Sequence, residues 1–85
     1  MRFIADVIPN EEGIKRLMIH ETESGTYLFG FDRVVDGGGV WDEWFETVAD
    51  AKESALEDYQ VSLEAWKQIA DPCDDCQQDW IQPVR

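Results

Sequence analysis

Apolar and polar residues alternate along the first third of the chain, and the alternation breaks at three clusters of turn-forming residues. Arg2 to Ile8 is rich in Phe, Ile and Val and stops at Pro9, which predicts a strand. Pro9-Asn10-Glu11-Glu12-Gly13 has the composition of a turn, with Gly13 suited to a positive φ. Ile14 to His20 predicts a second strand. Leu17 and Ile19 point to one face, and Arg16, Met18 and His20 to the other, because strand side chains alternate. Glu21 to Gly25 is a second turn. Thr26 to Val35 predicts a third strand with Tyr27, Phe29 and Phe31 on one face; Gly30 on the opposite face signals a bulge or a close contact. Turns this short join antiparallel neighbours, so the three strands form a meander.

After Asp36-Gly37-Gly38-Gly39 the pattern changes. Val40 to Phe45 places three aromatics close together and fits either a short fourth strand or an irregular aromatic plug. The spacing then predicts a helix from Val48 to about Gln60, with Thr47 as N-cap and Asp50 three residues on. Val48, Ala51, Ala55, Leu56 and Tyr59 make its apolar stripe, and Glu53, Glu57 and Asp58 lie off it. No capping Gly follows. Ser62 to Ile69 predicts a second, shorter helix, with Val61 and Trp66 spaced as a hydrophobic staple and Asp71-Pro72 as its end. Asp79 to Val84 is the last predicted strand, which Pro83 either holds to an edge or ends early. The expected fold is α+β, a single domain over residues 1–85. A small antiparallel sheet, the meander plus a C-terminal strand, packs against one main helix and a short second helix.

Composition narrows the function classes. A chain of 85 residues has room for one modest core, and its four Trp argue against disorder. The net charge is −12. Between Asp42 and Asp79 twelve acids face two bases, Lys52 and Lys67. A field of that sign repels nucleic acid and anionic membrane and attracts basic partners. No apolar run approaches the ~20 residues of a membrane span. Asp6 interrupts the N-terminal apolar segment where a signal peptide would need continuity. Two cysteines are too few for a secreted disulfide scaffold, so the expected compartment is a reducing cytoplasm.

Candidate chemistry is sparse. Cys73-Asp74-Asp75-Cys76 has metal or redox spacing, but a structural zinc site wants four ligands, and His20 is the only histidine. The carboxylates of Asp71, Asp74, Asp75 and Asp79 disfavour a thiolate in this pair. Those same four aspartates do not have EF-hand spacing. No Ser-His-Asp order, phosphate-binding loop or HExxH pattern occurs, so no catalytic residue and no cofactor are expected.

The second half, roughly Trp44 to Arg85, resembles a group of short, acidic, functionally uncharacterised bacterial proteins. The likeness is carried by Trp44-Phe45-Glu46-Thr47 leading into Ala49-Asp50-Ala51-Lys52-Glu53. It continues through Trp66, Ile69, Asp71-Pro72, Cys76, Asp79-Trp80-Ile81 and Pro83-Val84-Arg85. The resemblance implies a small α+β bacterial domain and brings no activity, cofactor or site residue with it.

The functional expectation is therefore a non-enzymatic binding module that presents an acidic helix face, Glu53, Glu57 and Asp58 with Glu46 and Asp50 beside them, to a basic protein partner. Such a protein could cover the basic site of a toxin or imitate a phosphate array. Two alternatives stand beside it. One is a small metal-binding or thiol-dependent module built on Cys73, Cys76 and His20. The other is a structural subunit that pairs through a strand edge, although the charge favours a monomer or at most a weak homodimer.

Overall fold

The structure, a computed structural model, describes residues 1–33 and 38–70. It contains β1 (Arg2–Asp6), β2 (Arg16–Thr22), β3 (Gly25–Phe31), β4 (Gly39–Phe45), α1 (Val48–Tyr59) and β5 (Lys67–Ile69). The strands form one sheet in the order β4-β3-β2-β1-β5, every neighbour antiparallel.

The expected meander is present, and local chemistry sets its turns. Asn10 organises the first one. Its carbonyl oxygen accepts from the backbone N–H groups of Glu12 (3.1 Å) and Ile14 (3.2 Å), and its amide donates to the carbonyls of Ile8 (3.0 Å) and Ile14 (2.7 Å). Gly13 takes the positive φ, +74°. The second turn is tighter: Thr22 pairs directly with Gly25, whose φ of +134° only glycine adopts without strain. The aromatic segment is a strand and not a plug. β4 pairs with β3 at every residue but Val40, which is skipped at a register shift at Gly30/Phe31, where a bulge or a close contact was expected.

Alternation sorts the side chains as the sequence implies. Ala5, Leu17, Ile19 and Leu28 face α1 and are buried with Ala51, Ala55 and Val61; Trp41, Phe45 and Tyr59 pack around them. On the opposite face Met18 and Phe31 are buried against Ile4, Phe29 and Ile69. Arg2 is also fully buried there; its Nε donates to the Ala70 carbonyl at 2.7 Å, and a second guanidinium nitrogen reaches the same oxygen.

α1 begins as expected. Thr47 is extended (φ −135°, ψ 161°), and its hydroxyl accepts from the Asp50 N–H at 3.1 Å. It ends without glycine. Gln60 adopts the left-handed conformation (φ 60°), and the Val61 N–H reaches back to the Ala55 carbonyl at 3.3 Å. Burial of Val61 in the core is what holds the chain in this bend.

Three expectations are corrected. First, Ser62 to Ile69 is not a helix. Residues 62–65 form a turn, with the Ala65 N–H bonded to the Ser62 carbonyl at 3.0 Å, and Lys67–Ile69 is a strand on the outer side of β1. An eight-residue helix is marginal by itself, whereas Arg2, Phe3 and Ile4 offer an unfilled ladder that Ile69, Gln68 and Lys67 complete. Trp66 enters the core and its indole N–H is buried, with no acceptor among the described residues. Second, the fold is therefore mostly sheet, five strands with one helix, and not a sheet carrying a main and a second helix. Third, Leu56 does not join the apolar stripe but lies 42% exposed. The strand expected at Asp79 to Val84 lies outside the described residues.

Candidate acidic binding face

α1 is pinned to the sheet through Ala51 and Ala55, both fully buried. At about 100° per residue, Asp50, Glu53 and Glu57 fall within an arc of roughly 60° on the side of the helix away from those alanines. All three are exposed. The alanines fix this orientation because small side chains let the helix backbone approach the sheet, so that its far side faces outward.

The five acids expected to act together do not form one row. Glu46 is exposed in the link between β4 and α1. Asp58 sits off the arc on the Ser54 side, where its carboxylate accepts from the Ser54 hydroxyl at 3.4 Å. The ion pairs among the described residues are Arg16–Asp6 at 2.8 Å and Arg33–Asp32 at 3.6 Å; neither involves these acids. Lys52, the one base within α1, turns its ammonium over the Phe3 ring, 4.8 Å from the centroid. The helical carboxylates therefore keep their charge uncompensated by described bases.

A second acidic group meets the helix at its C-terminal end. The Tyr59 hydroxyl donates to the Glu12 carboxylate, and its ring stacks on Trp41 with centroids 6.0 Å apart and planes 19° from parallel. Partial burial, the bond to Glu12 and the nearby charges of Glu12, Asp58 and Glu43 push the phenol well above its ordinary pKa. Burial is the largest of these influences, and the carboxylates of Glu12, Asp58 and Glu43 add a negative local potential to it. Sequence reasoning missed this group. Glu43 shares a sheet face with Trp41 and Phe45 by simple alternation, but nothing local ties Glu12 to Tyr59.

β4 carries two indoles, Trp41 and Trp44. Trp41 lies over Gly30 and Trp44 over Gly25, each filling the space a β-carbon would need. The Trp44 indole also donates to the Ser24 carbonyl at 3.3 Å, yet half of the residue stays exposed. Trp41 and Phe45 pack on the core, as aromatics of a small domain commonly do.

The candidate metal residues do not gather among the described residues. His20 is buried on β2, opposite Arg2 and Tyr27 in register and on the face away from α1. No group of three potential metal-ligating side chains occurs among the described residues, and Cys73 and Cys76 lie outside them. One small open cleft, lined by Asp6, Arg16 and Lys67 with Ile4, Ala5 and Ala65, holds about 110 Å³. Small-molecule sites usually enclose ~300–1,000 Å³. No described helix is long and apolar enough to cross a membrane.

No protein-family model, curated protein or solved structure matches the chain.

Proposed function

We propose that this protein is a non-enzymatic binding module whose acidic helix face receives a basic protein partner. The observation that carries the reading is the stripe Asp50, Glu53 and Glu57, exposed and opposite the buried alanines, with Arg16, Arg33 and Lys52 engaged elsewhere. Glu46 extends the field toward β4, and Asp58 joins it to the Glu12–Glu43 group around Tyr59. Opposite charge accelerates encounter and fixes orientation, and salt weakens both.

The reading is tested with labelled deca-lysine, a probe of charge without strand or helix preference. The Glu53→Lys/Glu57→Lys variant is compared with Glu11→Lys/Glu23→Lys, which has the same net charge but reverses exposed loop acids. A directed face predicts about tenfold weaker binding for the helix variant, with a smaller loss for the loop variant and a steep salt dependence. Equal losses in the two variants would mean that only net charge matters, and the reading would fall.

A further inference from the structure

The two edges of the sheet differ. β5 is three residues long and begins with Lys67, features that discourage further pairing. β4 is seven residues long, contains no proline, lysine or arginine, and has no strand on its outer side among the described residues. Resting on the basic-partner reading, we propose that an extended segment of that partner adds to the outer edge of β4 as a further strand. Two consecutive Lys or Arg residues of the segment lie against Asp42 and Glu43.

Hydrogen-bond phase fixes which backbone groups of β4 point to this edge. The tight turn makes Thr22 and Gly25 a hydrogen-bonded pair, so Gly25, Tyr27 and Phe29 direct their backbone groups at β2. Thr26, Leu28 and Gly30 then direct theirs at β4, where they meet Phe45, Glu43 and Trp41. Asp42 and Trp44 are left with N–H and C=O groups pointing away from β3. The indoles leave this edge clear, because Trp41 and Trp44 lean back over glycines of β3.

Charge selects the occupant. A second copy of β4 pairing in antiparallel fashion has two central registers that match outward backbone groups. One sets Asp42 against Asp42 of the other copy, the other sets Glu43 against Glu43, and like charges directly opposite destabilise a pair. A basic segment turns both positions into opposite-charge pairs. Asp42 and Glu43 lie on different faces of the sheet, and consecutive residues of an added strand also point to different faces. The segment therefore needs adjacent basic residues, flanked by apolar β-formers that cover Val40, Trp41, Trp44 and Phe45. Recognition is main-chain addition with side-chain selection, as in other strand-addition complexes.

The test uses a capped peptide, Thr-Val-Thr-Lys-Arg-Val-Thr-Val, its twin N-methylated at both basic residues, and an analogue with Glu-Glu in place of Lys-Arg. Affinities are measured at low salt, and amide NMR shifts locate the contact. The parent is expected to move the Asp42 and Trp44 amides, with the methylated twin and the Glu-Glu analogue each bound about tenfold more weakly. In Asp42→Lys/Glu43→Lys the preference should invert toward the Glu-Glu peptide. Equal binding of parent and methylated twin overturns strand addition, and the helix reading is then judged by its own charge reversals. Sedimentation showing a dimer at high salt that excludes the peptide would make a second copy the occupant and would also overturn the proposal.

Discussion

The orientation of α1 decides whether its carboxylates face outward, and two substitutions on adjacent residues test it. Ala55 has no exposed surface, whereas Leu56 is 42% exposed. Ala55→Leu adds three carbons at a closed contact between helix and sheet, and overpacking of this kind costs roughly 1–3 kcal/mol. Leu56→Ala removes three carbons from a site already half in water and exchanges one strong helix former for another. Its cost should stay near the ~0.5 kcal/mol of ordinary surface changes. For a domain this small, ~1 kcal/mol moves the melting temperature by about 4–8 °C, so Ala55→Leu should lower it by about 4–24 °C. Leu56→Ala should shift it by only a few degrees. Urea unfolding followed by tryptophan fluorescence reads both, since Trp41 and Trp66 pack on the core. If Leu56→Ala proves the more damaging, the helix is turned by about one residue, roughly 100°. Leu56 would then be core, and Glu53 and Glu57 would be carried toward the sheet.

Two other outcomes follow from local chemistry. Thr47→Ala removes the acceptor of the Asp50 N–H and should cost ~0.5–2 kcal/mol in denaturant melts, with Thr47→Ser restoring most of it; equal loss in both would show that the hydroxyl does not cap the helix. The raised pKa of Tyr59 favours the neutral phenol in the folded state, so its contribution is complete below the ordinary tyrosine value near 10 and is lost as pH rises through the folded value. Stability should fall with alkaline pH above 10, less steeply in Tyr59→Phe. Ultraviolet titration of a Tyr27→Phe background should show Tyr59 ionising late, and earlier when Glu12→Gln is added. Ionisation at the ordinary value would rule out the Glu12 bond.

What was legible in the sequence was local. Leu17 and Ile19 alternating with Met18 and His20 identified two faces of β2; that both are buried, His20 included, is a finding of the structure. Gly30 marked the bulge and Thr47 the helix start because each signal lies within a few residues of its effect. β5 was not legible. Val61 and Trp66 have staple spacing, and only the open ladder of β1, remote in sequence, turns Lys67–Ile69 into a strand. Leu56 was misplaced because it neighbours Ala55 at the border of the stripe, where periodicity alone cannot say how far the sheet reaches. The expected face grouped Glu53 and Glu57 with Asp58, whereas at about 100° per residue it is Asp50 that falls beside them. The bond from Tyr59 to Glu12, 47 positions away, followed from nothing near either residue.

The seating of Arg2 on the Ala70 carbonyl, 68 positions along the chain, bears on how the protein is made. β1 is synthesised before β5, and the meander can zip as it emerges, but the other flank of β1 stays open until Lys67–Ile69 are synthesised. Closure of such remote pairs is slow. Through that interval the outer flank of β1 lacks its β5 partner, and an open strand edge is a template for pairing with another chain.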